Sequence, residues 1–218
     1  KLPIIVGGTG LYIDSLINGI DFPSEDCSKV REELEARARE EGIESLFEEL
    51  KSIDPKTAEK LHLNDKKRII RALEVYYIHN KTMSELNLES KKNGTKYEPV
   101  FIGITYENRE LLYDRINCRV DIMLENGLID EAKAAYESSF SKTAVQAIGH
   151  KELFPYFKGE KTLQEALETL KQETRRYAKR QLTWFRRNEN INWIYADKTD
   201  NAAKEAIKII EREGTRVE

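Results

Sequence analysis

An α/β fold, with a parallel-sheet core interrupted by a small all-helical insertion, is what this sequence predicts, and three observations predict it. The first is the opening run Ile4-Ile5-Val6, bounded by Gly7-Gly8-Thr9-Gly10, which reads as a buried parallel strand entering a glycine-rich turn and a helix. The second is its echo at Phe101-Ile102-Gly103-Ile104, after Pro99-Val100, with a further short strand over residues 191–195. The third is the stretch between them, residues 25–90, where apolar side chains recur at helical spacing.

Each element follows in order. A short helix over residues 11–17 leads into the turn-rich Asn18-Gly19-Ile20-Asp21-Phe22-Pro23, where the chain changes character. Val30, Leu34 and Ala38, then Ile43, Leu46 and Leu50, then Ile69, Leu73 and Tyr76 mark successive helices of the insertion. Lys91-Lys92-Asn93-Gly94-Thr95 is its exit loop, so the expected domains are residues 1–24 with 97–218, and 25–96. Beyond the second strand, Leu112, Ile116, Val120 and Met123 give residues 108–125 an apolar stripe. Gly127 precedes another helix to about residue 137. A loop-to-helix junction at residues 146–150, a long helix over 163–188 and a final helix over 202–211 complete the reading.

Composition limits the chemistry. Cys27 and Cys118 are far apart and belong to no even-numbered framework, so reduced thiols are expected. His62, His79 and His150 lack zinc spacing, and no metal ligand is assigned. No run reaches transmembrane length and no signal peptide is visible, so no membrane partner is expected and the cytoplasm is the default compartment. The net charge of −3 conceals a division along the chain. Residues 25–65 carry 13 acidic and 7 basic side chains, residues 66–96 carry 3 and 8, and residues 171–187 carry 1 and 7. Such local excess is either the footprint of a polyanionic partner or a solvated helix face.

Three sets of residues could carry function. Gly7, Gly8 and Gly10 let backbone approach a ligand, and Thr9 offers a small donor and acceptor at a strand's carboxyl end, although a plain strand-to-helix turn would look the same. Arg115 and Arg119 lie four apart on one helical face, either as a phosphate clamp or as ion-pair partners of Asp114 or Asp121. Lys67, Arg68 and Arg71 share the outward side of an insertion helix. On the long helix, Arg175, Lys179 and Arg186 form one stripe and Arg176, Arg180 and Arg187 another.

Five separated blocks then give the sequence a resemblance. They are Ile4-Ile5-Val6-Gly7-Gly8-Thr9-Gly10-Leu11-Tyr12, Asn64-Asp65-Lys66-Lys67-Arg68-Ile69-Ile70-Arg71-Ala72-Leu73-Glu74-Val75, and a third running from Arg109 through Asp114-Arg115 and Cys118-Arg119 to Met123. With them stand Ala147-Ile148-Gly149-His150-Lys151-Glu152 and Ala178-Lys179-Arg180-Gln181-Leu182-Thr183-Trp184-Phe185-Arg186. In this order they closely resemble the bacterial tRNA dimethylallyltransferase family, also called tRNA isopentenyltransferases.

The resemblance implies a phosphate-loop-kinase-like core, with nucleotide or ATP binding as its fold-level association. It implies transfer of a dimethylallyl group from dimethylallyl diphosphate to the exocyclic amine of the adenine 3′ of the anticodon. Magnesium, held mainly by the diphosphate and by residues upstream of these, is the implied cofactor. The anticodon stem-loop of a tRNA and dimethylallyl diphosphate are the implied partners, and a monomer is expected. Carried over by motif, Thr9 lies near the reacting amine, Gly7, Gly8 and Gly10 line the channel, and Arg115 and Arg119 act on the leaving group. Arg31, Lys67, Arg68, Ile69, Ile70 and Arg71 become tRNA contacts, as do Gln146, Ala147, Ile148, Gly149, His150 and Lys151. Arg175, Lys179 and Arg180 join them on the long helix. The family's phosphate loop and general base have no counterpart among these residues, so the chain alone is expected to be inactive. An adenylate isopentenyltransferase and a non-catalytic RNA-binding remnant are the alternatives.

Overall fold

The structure, a computed structural model, describes residues 2–19, 28–92, 97–137 and 147–214. Its contacts divide the chain into two compact units, Leu11–Glu98 and Lys1–Gly10 with Pro99–Glu218, whereas the sequence places the divisions at 24/25 and 96/97.

In the Leu11–Glu98 unit every regular element among the described residues is a helix. Helix α1 (Gly10–Asn18) enters it, and α2 (Ser28–Glu40), α3 (Ile43–Ile53), α4 (Pro55–Ala58), α5 (Lys66–His79) and α6 (Met83–Lys92) follow. The stripes read from sequence meet here. Leu34, Ile43, Leu46, Leu50, Ile69, Ile70 and Leu73 form one buried cluster, with Val30, Ala38 and Phe47 packed against it. Asp54 is buried at the turn between α3 and α4, where its carboxylate accepts from Thr57 N at 3.1 Å and, across the unit, from Ser84 N at 3.0 Å. Burial alone would push this carboxyl up. The hydrogen bonds from Thr57 and Ser84 outweigh it and hold Asp54 below the usual carboxylate range.

In the other unit β1 (Phe101–Thr105) runs parallel to β2 (Ile191–Tyr195), in a register that sets Phe101 opposite Ile191 and Thr105 opposite Tyr195. Gly103 faces Trp193, and a Cβ at that glycine would come within 2.6 Å of the indole, so the small residue makes room for the large one. Parallel strands need a crossover, and α7 (Arg109–Glu125), α8 (Leu128–Glu137), α9 (Phe154–Phe157) and α10 (Leu163–Phe185) lie between them in sequence. Helix α11 (Ala202–Gly214) packs on β2. The start of α7 is fixed twice. Asn108 caps Glu110 N at 2.8 Å, and the Asp197 carboxylate accepts from Glu107 N and Asn108 N, each at 2.8 Å. Helix α10 opens on a capping box in which Thr162 and Glu165 satisfy each other's backbone N–H. The core lies among helices: Val120, Leu128, Ala132, Leu153, Ala166 and Leu170 form one cluster.

One expectation is corrected. Residues 2–7 are not a strand, and Ile4, Ile5 and Val6 are exposed. A strand exists through its neighbours, and among the described residues the sheet has only β1 and β2. Local apolar composition therefore did not produce a ladder. Among the described residues no helix is long and apolar enough to cross a membrane.

Candidate functional site

The glycine-rich turn is held by the last turns of α10. Gln181 Nε2 donates to the Gly8 carbonyl at 2.9 Å, and a Cβ on Gly8 would run into that same amide. Gly10 is buried against the Trp184 ring, which a Cβ there would also strike. Thr9, between the two anchored glycines, is exposed. Glycine is required here by close approach rather than by left-handed backbone: among positive-φ glycines in the described residues are Gly42, Gly127 and Gly149, not Gly8 or Gly10. The turn thus presents a hydroxyl from a backbone that two side chains of another element hold in place.

On α7, Arg115 and Arg119 line an open depression with Asp114, Cys118 and Ile122. Both arginines are exposed, and among the described residues neither makes an ion pair. Asp121, one of the carboxylates that could have paired with them, instead meets Lys171 Nζ at 2.6 Å. Two guanidinium groups one turn apart form a surface suited to a diphosphate, because each fork can donate in parallel to phosphate oxygens.

The turn after the undescribed segment is stapled from within. The Glu152 carboxylate is buried and accepts from Gly149 N at 2.9 Å, while Gly149 adopts φ +111° over Leu128 and Met123. His150 Nε2 lies 3.1 Å from Glu131, and Lys151 Nζ is 3.8 Å from Glu152. Ala147 is exposed and Ile148 packs against the helical cluster. Gln146 lies outside the described residues. On α10, Lys179 and Arg180 are exposed, Arg180 standing over the Tyr177 ring. Arg175 is turned to its own protein, donating to Asn117 Oδ1 at 2.6 Å and to Glu168 at 3.1 Å.

The helical unit assembles its basic residues around a carboxylate that sequence reasoning misses. Arg31 of α2 donates through Nε and Nη2 to Glu74, at 2.8–3.1 Å, and Arg71 Nη1 donates to the same carboxylate at 2.8 Å. The Glu74 side chain is 0% exposed, Arg31 51% and Arg71 35%, so one buried anion is shared by two partly exposed cations. Lys67 and Arg68 are exposed on the same helix, with Asp65 4.0 Å from Arg68. Ile69 and Ile70 are a correction: both are buried in the core cluster, so their side chains cannot be surface contacts. Glu74 had a legible signal. It is an acid flanked by Leu73 and Val75 on the buried side of α5, three residues after Arg71.

No ligand set for a resident metal emerges: among the described residues no group of three or more His, Cys, Asp or Glu side chains could hold an ion. Cys118 is a free, exposed thiol.

Known proteins resemble the chain over most of its length. It is 51% identical over 207 residues to a tRNA dimethylallyltransferase of Acetivibrio thermocellus, covering 94% of this chain and 66% of that one. It is 50% identical over 197 residues to one of Halothermothrix orenii, covering 89% and 60%. The chain thus spans between three fifths and two thirds of the length of these relatives. Among solved structures, a tRNA isopentenylpyrophosphate transferase from Staphylococcus epidermidis aligns with a TM-score of 0.60 at 37% identity, over 99% of this chain and 70% of that one. A eukaryotic dimethylallyltransferase described as acting on tRNA aligns with a TM-score of 0.70 at 30% identity, over 95% and 55%. The profile of one family, described as IPP transferase, matches residues 1–188, which take in both units, the Gly8–Gly10 turn, the α7 arginines and the Glu74 cluster. The chain belongs to the IPP transferase family.

Proposed function

We propose that the protein modifies tRNA by transferring a dimethylallyl group from dimethylallyl diphosphate to the exocyclic amine of the adenine 3′ of the anticodon. The observation that carries this reading is the family match running through residues 1–188, because it takes in a helical unit with exposed basic side chains that a free nucleotide would not need. In the reaction the amine nitrogen attacks C1 of the allylic group and gives up a proton to solvent water. The C–O bond to the diphosphate breaks, and the diphosphate leaves with the electron pair.

The residues of this chain take part by position and charge. Thr9, held between Gly8 and Gly10, offers its hydroxyl toward the acceptor amine. Arg115 and Arg119 meet the negative charge that grows on the departing diphosphate, which is where fixed donors lower a barrier. Lys67, Arg68, Arg71 and Arg31 face the anticodon stem, and Lys179 and Arg180 add positive surface on α10. Extruding the target base costs a few kcal/mol, which such backbone contacts offset. Magnesium would accompany the diphosphate and offset its charge; among the described residues no group of three or more His, Cys, Asp or Glu side chains forms a cage for it. The cytoplasm, where tRNA is modified, is the compartment this reading implies.

Incubating the encoded full-length protein with labelled dimethylallyl diphosphate, magnesium and a tRNA bearing adenine at that position should place label in the RNA. Equal labelling of free AMP would favour an adenylate isopentenyltransferase instead. RNA binding with no transfer to either acceptor would favour a binding remnant.

A further inference from the structure

The two arginines that the tRNA reading needs in the helical unit are not independent surface charges. Arg31 comes from α2 and Arg71 from α5, so a shared orientation of their long side chains needs a group that bridges the two helices. Glu74 is that group. Its two oxygens take three hydrogen bonds from Arg31 and one from Arg71, all at 2.8–3.1 Å, with the carboxylate itself out of solvent. A guanidinium is a planar fork, so the Nε and Nη2 pair on one carboxylate fixes its plane as well as its position. Both arginine side chains nevertheless stay partly exposed. Lys67 stands one helical turn before Arg71 on the same face.

We propose that Glu74 is a positioning residue for RNA recognition: it holds Arg31 and Arg71 as a fixed pair set for the backbone of a structured stem, rather than serving only to join α2 to α5. This rests on the tRNA reading above. The carboxylate cancels one of two positive charges, so a protein using charge alone would be better served without it. Keeping it makes sense where orientation matters more than field, because phosphates of a folded stem sit at fixed spacings while those of a flexible strand do not.

The test measures binding of the chain to two fluorescent RNAs of equal length, an anticodon stem-loop and an unstructured oligouridylate, alongside thermal melting. In Glu74→Gln the fork loses its anion and meets an amide N–H. Stem-loop affinity should fall about tenfold, the scale of one charge-assisted hydrogen bond. Oligouridylate affinity should move by less than about twofold, because no cation is removed. Equal weakening for both RNAs would mean a merely structural role, and tightening for both would mean that only net charge counts; either overturns the inference. Should Glu74→Gln fail to melt cooperatively, Arg31→Lys decides, since it keeps the charge and removes the fork: selective weakening toward the stem-loop supports the proposal, unchanged selectivity overturns it. If the parent chain binds no stem-loop, the tRNA reading itself fails, and the inference with it.

Discussion

The two units bury their apolar residues by the same means but differ in what they leave bare. In Leu11–Glu98 the cores of α2, α3 and α5 close on one another, and Leu46, Leu50, Ile69 and Leu73 are 0% exposed. In the other unit the helices α7, α8 and α10 do likewise around Leu153, Leu170 and Val120. Its two strands contribute little to that core, and Ile104 of β1 is 62% exposed. The difference teaches where order comes from. A helix satisfies its own backbone and needs only one covered stripe, whereas a strand owes both its hydrogen bonds and its burial to neighbours.

The largest effect should come from cutting into the closed core. Leu73→Ala should destabilise the chain by about 2–5 kcal/mol in urea denaturation, because the buried side chain leaves a cavity that three packed helices cannot collapse. Ile104→Ala on the exposed strand should move stability by no more than about 0.5 kcal/mol. Comparable losses at both positions would mean that the strand face is covered in solution, and the contrast between the units would fall.

Next in size is Asp54, the buried carboxylate that joins the α3–α4 turn to the start of α6. Replacing it with Ala leaves the Thr57 and Ser84 N–H groups without their acceptor, at about 1–3 kcal/mol. The sign of its pH dependence follows from the direction of its shift. The folded value lies below the unfolded one near 3.8, so its contribution is present above that value and disappears as pH falls through the folded one. The stability gap between the native chain and Asp54→Asn should therefore be constant near neutrality and narrow below about pH 4. A gap that stays constant into acid would show that the carboxylate's charge contributes nothing.

A smaller change tests the proposed tRNA contacts of the two units. Replacing Lys67 and Arg68 together should reduce the slope of log affinity against log salt by about two, one for each phosphate that is no longer neutralised. Replacing Lys179 and Arg180 on α10 gives the matching measurement for the other unit. If only the α10 pair moved the slope, the stem would lie away from α5.

How far all this can be read from sequence depends on the same physics. The helices of both units are legible because Leu34, Leu46, Leu73, Val120 and their like repeat at spacings that only a helix makes into one face. The strands over residues 101–105 and 191–195 are legible from β-branched and aromatic runs. The run over residues 4–6 misleads because composition reports what a segment can do, and pairing decides what it does. Among site residues, the arginine spacing on α7 is visible in one dimension. The Glu74 bridge is not, because Arg31 lies 43 residues away and only packing of α2 on α5 brings it into reach. Gln181 carries no signal of its own, since its partner Gly8 is 173 residues distant.

That last pair gives the smallest and most local expectation. Among the described residues, the turn that presents Thr9 is contacted by Gln181 and Trp184 of α10. Gln181→Ala removes one part-buried hydrogen bond, a net loss of about 0.5–1.5 kcal/mol, and most of it should be felt locally because Trp184 still packs on Gly10. Global unfolding should therefore shift little, while amide exchange in a peptide spanning residues 2–12 should quicken several-fold, on the scale of that one bond. Gly8→Ala should quicken it as well, since its Cβ displaces the same amide. If exchange across the turn is unchanged in both variants, something other than Gln181 holds Thr9 in place. The contrast between a unit ordered by its closed core and a turn ordered by side chains of α10, Gln181 foremost, would then have to be given up.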